Sequence, residues 1–365
     1  MKKNYLRYPV LGFFILLVSI AVLATVIPLF PSKEWYVRVF DYPRLQTFFV
    51  AVLALIWYFV FYFKRDRVSY LFAVLLIGVI SVQAYKAAPY TVLGSQQVLK
   101  SQKAASATTS VSLFICNVLQ PSDNYQKVLD RVAEYQPDIV ITTESDSVWQ
   151  EALSVLDAKY PHRIAVPLDN TYGMHLYSKL PLDQAKVRYL LEPDLPSIRA
   201  KVQLKSGEWV HLFIVHPRPP VPGEDDDSRE RDAEIIMVGR EARKEKGGVI
   251  VAGDFNDVAW SETTALFQEV SGYLDPRRGR GFYNTFNAEL PLFRWPLDHI
   301  FHSPHFKLIK MERGDKVGSD HFPMYIKLSY EPENADDQPK VKEEEDTQQE
   351  ASKAIKKGKA DAGKE

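Results

Sequence analysis

Cysteine occurs once, at Cys116, in a chain of 365 residues. A single thiol excludes an intrachain disulfide framework and any zinc site built from several cysteines, and its place in the apolar run VSLFICNV makes it a small buried hydrophobe. Positive charge is not in excess: between residues 103 and 327 the sequence carries 27 Lys and Arg against 32 Asp and Glu. That acidity disfavours a domain that grips duplex nucleic acid through its backbone, although Arg277, Arg278 and Arg280 form a basic cluster that the total does not see. Internal repeats are absent. Charged residues are also missing from three long apolar runs before residue 86, so these runs offer no polar pathway of the kind a transporter needs.

The first run, Val10 to Phe30, is about 21 residues long, enough at about 1.5 Å per residue to cross a hydrocarbon layer of about 30 Å. Two more lie beyond it, from about Leu45 to Phe63 and from about Tyr70 to Tyr85. The length of the first, and the two spans that come directly after it, argue against a cleaved signal peptide, whose apolar core is roughly 7–15 residues. Lys64, Arg65 and Arg67 crowd the turn between the second and third runs and mark it as cytoplasmic. Lys2, Lys3 and Arg7 share its side, so an odd number of spans delivers the rest of the chain to the outer face, although Lys33, Arg38 and Arg44 weaken the bias. The chain therefore divides into a membrane anchor at 1–86, a linker at 87–108, a globular domain at 109–330 and a tail at 331–365. The linker is rich in Ser, Ala, Gln and Lys without apolar period. The tail, with KVKEEED and KAIKKGKADAGKE, is too polar to bury a core and is expected to be solvated and disordered.

The middle segment alternates short β-rich runs with helical periods. VSLFICNV, PDIVITTE, RIAVPL, GMHLYS, IRAKVQL, WVHLFIVH, GVIVAGDF, DHIFHS and MYIKLSY are expected strands; 125–135, 228–245 and 261–269 carry helical spacing. Many strands with few helices between them favour mixed or antiparallel sheets, and a two-sheet α/β sandwich with helices outside is the expected fold.

Metal-competent and catalytic residue types sit at the ends of these strands. Asn117 ends the first and Glu144 the second; His216 ends WVHLFIVH, and Asp254 with Asn256 ends GVIVAGDF. Asp298 begins DHIFHS, and Asp320 with His321 precedes MYIKLSY. Taken singly, Asp and Asn after strands are turn formers. As an ordered set they mark one site, because strand ends hold side chains rigidly and leave their tips accessible. His299, His302 and His305 resemble a zinc patch, but residues 299 and 302 of one strand point to opposite faces.

The succession of Asn117, PDIV with Glu144, GMHLYSKLPL, His216, VIVAGDFN, PLDHIFHS and GSDHFPM resembles the motifs of the endonuclease/exonuclease/phosphatase superfamily over about residues 109–330. The membrane preamble and HPRPP resemble a bacterial membrane-anchored branch. The resemblance implies a Mg²⁺-dependent hydrolase of phosphodiesters or phosphomonoesters, with Mn²⁺ able to substitute. Glu144 would bind the metal, with Asn117 and Asp320 as oxygen ligands or support. Asp254 would orient or deprotonate the attacking water, and Asn256 would hold a non-bridging phosphate oxygen. His321 would contact or protonate phosphate oxygens, with Asp298 fixing its ring, and His216 would protonate the leaving group or bind phosphate. Arg199, Arg277, Arg278 and Arg280 are candidates for further phosphates, and Asn284 and Thr285 for the pocket wall. The partners implied are a phosphate-ester substrate, nucleic acid or phospholipid, and the lipid bilayer. A continuous basic groove would mark a nuclease and an apolar rim a lipid phosphodiesterase. The implied location is the bacterial inner membrane, multi-pass, with the domain on the periplasmic face. The competing reading is a membrane-tethered binding protein that keeps the fold without turnover. No protein partner is inferable.

Overall fold

The computed structural model describes residues 7–102 and 108–363, with side chains from residue 10. Lys2 and Lys3, on which the orientation partly rests, lie outside the described residues, as do 103–107 of the linker. Three helices, α1 (Arg7–Val26), α3 (Arg44–Phe61) and α4 (Arg67–Ala87), are long and apolar enough to cross a membrane. A connection containing the short α2 (Trp35–Arg38) joins the first two. Phe14, Val18, Ala54, Tyr58 and Leu76 pack between the helices. At the end where α1 stops, α3 begins and α4 stops, a polar network ties them together. Arg44 bonds Asp41 at 2.6 Å and Gln83 at 3.4 Å, and Gln83 donates to Thr25 at 2.8 Å. These bonds satisfy a buried glutamine that would otherwise be costly among apolar side chains.

The same end rests on the globular domain. Trp35 N–H donates to the Asp226 carbonyl at 3.1 Å and Ser228 N–H to that of Lys33 at 2.9 Å. The Trp260 indole donates to the Asp41 carbonyl at 2.8 Å. The linker is not a free tether: Tyr90 and Val98 are buried, and Lys100 forms a parallel bridge with Leu308.

The domain is a two-sheet sandwich. Its strands are β1 (Ser110–Asn117), β2 (Ile139–Thr143), β3 (His162–Val166), β4 (Met174–Ser178), β5 (Leu182–Tyr189), β6 (Pro196–Gln203), β7 (Trp209–Val215), β8 (Val249–Asp254), β9 (Asp298–His302), β10 (Phe306–Arg313) and β11 (Met324–Tyr330). One sheet runs β10-β11-β1-β2-β4-β3 and the other β5-β6-β7-β8-β9. Ile115, Ile141, Leu176, Ile198, Ile214 and Ile300 meet between them in the main core. Each such fully buried side chain contributes about 1.5–3 kcal/mol. Outside the first sheet lie α5 (Tyr125–Tyr135) and α6 (Ser147–Ala152); outside the second lie α7 (Arg229–Ala242) and α8 (Glu262–Ser271).

Each sheet contains one parallel pair, β1 with β2 and β7 with β8. A parallel pair needs a crossover, supplied here by α5 and α7. It also puts two strand C-terminal ends side by side, so Asn117 neighbours Thr143 and Val215 neighbours Gly253 in register. The second approach is so close that a Cβ on Gly253 would meet the Val215 carbonyl oxygen at 2.1 Å, and its φ of +136° also favours glycine. The antiparallel β9 then places Asp298 opposite Asp254, and β11 places Met324 opposite Ile115, three residues after His321.

The tail corrects the sequence-based expectation of disorder. Thr347–Ala362 forms α9, lying on α7 and α8 with Ala351 fully buried. Gly358 sits so close to α7 that a Cβ there would be 2.4 Å from that of Ala233. Close approach of small residues, not a large apolar face, holds this helix.

Candidate active site

The parallel pairs and the two antiparallel strands bring Asn117, Glu144, His216, Asp254, Asp298 and His321 to one end of the sandwich, and every one except the half-buried Glu144 is buried. Asn117 is the hub. Its amide nitrogen donates to Glu144 Oε1 at 2.7 Å and to Asp254 Oδ2 at 3.1 Å, while its oxygen accepts Leu119 N–H at 3.1 Å. Two carboxylates require a donor between them, so the nitrogen faces the site. Asn117 thus holds Glu144 and Asp254 in place, and its oxygen is turned away from the position of a metal ligand.

Asp254 Oδ1 accepts Asn256 N–H at 2.9 Å. Its Oδ2 faces His321 Nε2 at 3.6 Å and His216 Nε2 at 4.0 Å. His321 Nδ1 lies 2.8 Å from Asp298 Oδ2. Burial alone would depress the His321 pKa, but Asp298, Asp254 and Asp320 together raise it to about 10, so the ring is an imidazolium at neutral pH. His216 is opposite in character: burial pushes its pKa down, Asp254 only partly offsets this, and the ring is neutral. Two histidines within reach of one carboxylate are therefore held in different charge states.

Glu144 and Asn256 both adopt left-handed backbone, with φ of +56° and +50°. Asparagine tolerates this region; glutamate does so at a cost of about 1–3 kcal/mol, a strain that persists where surrounding structure imposes it. Burial raises the Glu144 carboxyl to about 7, against the lowering effect of the Asn117 bond and His321, and Asp320 and Asp254 add to the rise. The ligand atoms of Asp254, Asp298 and His321 lie within 4.8 Å of one another, close enough to hold a metal ion.

Several supports carry no signal in the sequence. Ser319 Oγ accepts the His321 N–H at 2.9 Å, and Thr285 Oγ1 accepts that of Asp298 at 3.2 Å. Phe286 packs on the His321 ring at 5.0 Å and Tyr172 on that of His216 at 5.2 Å. The Asn256 carbonyl receives Tyr42 Oη at 3.1 Å, from the connection between membrane-type helices, and Arg231 at 2.7 Å. Only Thr285, as a pocket-wall candidate, is hinted at by its position; Tyr42 and Arg231 are remote in sequence and no local pattern marks them.

Of the four arginines named from the sequence as phosphate binders, Arg199 and Arg277 are paired with acids, while Arg278 and Arg280 bond neutral groups. Arg199 pairs with Glu241 and Glu245. Arg277 is buried, bonds Asp275 at 2.7 Å and touches His299 Nδ1. Arg278 bonds Gln268 and lies over Tyr90; Arg280 bonds the Pro276 and Val98 carbonyls. The Asn284 carbonyl accepts Arg313, and its side-chain oxygen is buried without a bond partner. His299, His302 and His305 bond the Asp257 carbonyl, the Ser303 carbonyl and Ser303 Oγ respectively, so they form no shared site.

Comparison with solved structures gives the same fold. TDP2 of D. rerio, complexed with single strand DNA product, matches 60% of this chain and 99% of its own at 18% identity, with a TM-score of 0.50. The endonuclease/exonuclease/phosphatase from Bacteroides vulgatus matches 61% of this chain and 100% of its own at 18% identity, also with a TM-score of 0.50. No curated protein sequence matches the chain. The Endonuclease/Exonuclease/phosphatase family matches residues 113–321, more than half of the chain and all of the strand-end set, and the protein belongs to that family.

Proposed function

We propose that the chain is a membrane-anchored, divalent-metal-dependent hydrolase of phosphate esters, of a bacterial multi-pass type with its domain on the periplasmic face. The observation that carries this reading is the convergence on Asp254 of His321, His216 and the Asn117 amide donor, all buried.

The donor set around Glu144 fits a hard cation. Glu144 lies in the field of Asp320 and Asp254, and carboxylate oxygens suit Mg²⁺, which takes a few of them and keeps its remaining positions for water and substrate phosphate. In the Asp254, Asp298 and His321 group, His321 Nδ1 is committed to Asp298 Oδ2 at 2.8 Å, whereas Asp298 Oδ1 is buried without a bond partner. Glu144 with Asp320 would hold Mg²⁺, with Mn²⁺ as a substitute, and Asn117 would support Glu144. When bound, the metal would neutralise charge on the phosphoryl oxygens.

The chain's own residues do the rest. Asp254 accepts a proton from the attacking water, whose oxygen bonds to phosphorus. The opposite P–O ester bond breaks, and the departing oxygen takes a proton from solvent. His321, positively charged, meets the non-bridging oxygens as negative charge builds there. Asn256 uses one N–H on the Pro217 carbonyl at 3.0 Å and keeps the other for phosphate. His216, neutral and on the same side of the site as Asp254, suits phosphate binding better than protonation of the leaving group. The test is hydrolysis of bis-p-nitrophenyl phosphate by the full chain in detergent with Mg²⁺. Asp254→Asn should remove it; equal rates for both proteins would reject the reading.

A further inference from the structure

A loop beside the active site also touches the membrane helices. Phe286, in contact with His321, begins it, and Ala288 N–H donates to the Asp320 carbonyl at 2.6 Å, so its base is built into the site. From there it runs outward as Glu289-Leu290-Pro291-Leu292-Phe293, all exposed, with Leu292 78% exposed and Leu290 and Phe293 just over half. Three large apolar residues thus stand exposed on one loop tip, with Phe293 touching the Trp295 ring edge-on at 6.2 Å. At the tip, Gln46 donates to the Leu292 carbonyl at 2.7 Å. Gln46 is the third residue of the candidate span Arg44–Phe61, so the loop lies level with the point where that helix would enter the bilayer. Trp295 fixes this position by packing on Tyr42 at 5.5 Å. Val92 and Leu93, also exposed, leave the third candidate span just after Tyr90.

Beside this apolar tip are two arginines. Arg294 and Arg313 lie over the ring of Phe322, the residue after His321, at 4.9 and 4.1 Å. Both bond backbone carbonyls, of Asn287, Ala288 and Asn284. Among the described residues, no carboxylate lies within ion-pair distance of either guanidinium, whereas Arg199 and Arg277 are each neutralised by acids. An apolar tip with cations just behind it matches a lipid surface, whose acyl chains lie below a layer of phosphates.

We infer that the phosphate ester this site takes is the headgroup of a phospholipid in the same membrane, with Leu290, Leu292 and Phe293 seated among the acyl chains and Arg294 and Arg313 at the headgroup layer. The inference rests on the proposed phosphoesterase activity and membrane anchor. Hydrolysis breaks one P–O ester bond of the headgroup, places the water's OH on phosphorus, and leaves the proton on the departing oxygen.

The test uses the full chain in vesicles of phosphatidylethanolamine and phosphatidylglycerol with Mg²⁺. In one arm Leu292→Cys carries a polarity-sensitive dye; the native Cys116 is buried and does not compete for label. The dye should be quenched by nitroxide on the lipid acyl chains and shielded from aqueous iodide. In the other arm lipid products are followed by mass spectrometry, with bis-p-nitrophenyl phosphate and a single-stranded oligonucleotide as soluble substrates. Lipid cleavage should occur and vanish in Asp254→Asn. The paired change Leu292→Asp and Phe293→Asp should lower the ratio of lipid to soluble-ester turnover at least tenfold. Free access of iodide to the dye would overturn the membrane placement. Turnover of the soluble ester or the oligonucleotide without cleavage of either lipid would overturn the substrate class. Silence on both lipids, the soluble ester and the oligonucleotide with the dye still buried would reject the phosphoesterase reading itself, separately from the docking of the loop.

Discussion

Replacing Asp298 by Asn should move the alkaline limit of activity to lower pH. Asp298 Oδ2 sits 2.8 Å from His321 Nδ1, and burial of the ring works against its charge, so carboxylates are what hold its pKa near 10. Asparagine keeps the shape, and the bond from Asp298 N–H to Thr285 Oγ1 keeps the backbone in place. Without the charge, the His321 pKa should fall, with Asp254 and Asp320 left to oppose burial. The active form is the protonated ring, so activity is lost as pH rises through this pKa, and lowering the pKa brings the loss to lower pH. Above the lowered pKa the charged fraction falls about tenfold per pH unit, and kcat/KM should fall with it below the variant's own acid plateau. Wild type should hold its plateau until close to pH 10. The assay is hydrolysis of bis-p-nitrophenyl phosphate across pH at saturating Mg²⁺, so that Glu144 stays ionised throughout. An alkaline limb at the wild-type position, or one uniform loss at every pH, would refute the reasoning.

Asn117→Ala removes the donor shared by Glu144 and Asp254, and the Mg²⁺ concentration for half-maximal rate should rise about 10–100-fold; an unchanged Mg²⁺ titration would deny Asn117 its supporting role. Gly253→Ala forces a methyl onto the Val215 carbonyl and should cost about 1–3 kcal/mol or more, seen as a lower thermal midpoint in detergent. Wild-type stability there would mean the β7–β8 approach is looser than described. Deleting residues 339–365 strips α9 from α7 and α8 and should lower the midpoint by at least about 4 °C. A disordered tail would leave the midpoint where it was.

The legible part of the fold comes from strand periodicity and from residue type. Buried strands such as VIVAGD and VHLFIV announce themselves by unbroken apolar runs, and the polar residue that ends each run marks the site. Two strands escape that pattern, β5 and β10, both edge strands: LDQAKVRY is almost wholly exposed and FKLIKMER is interrupted by an irregularity at Leu308 and Lys310, so neither carries a clean period. The tail reads as disordered because its helix is held by Ala351 and Gly358, residues whose burial leaves no hydrophobic signature. The arginine cluster misleads for a related reason. Asp275, two residues before Arg277, neutralises it, and composition does not distinguish a paired arginine from a free one. The direction of the Asn117 amide depends on two carboxylates, 27 and 137 residues away, and no local pattern encodes it.

The central claim is that Asp254, at the meeting point of Asn117, His216 and His321, drives phosphate-ester hydrolysis. The most direct measurement is Mg²⁺-dependent turnover of bis-p-nitrophenyl phosphate by the purified full chain beside Asp254→Asn, with thermal unfolding of both. The account expects turnover in the wild type, a loss of at least about 100-fold in the variant, as for removal of a general base, and equal unfolding midpoints. Turnover that survives the substitution in a folded variant, or a wild type that never turns over with any divalent cation, would contradict it.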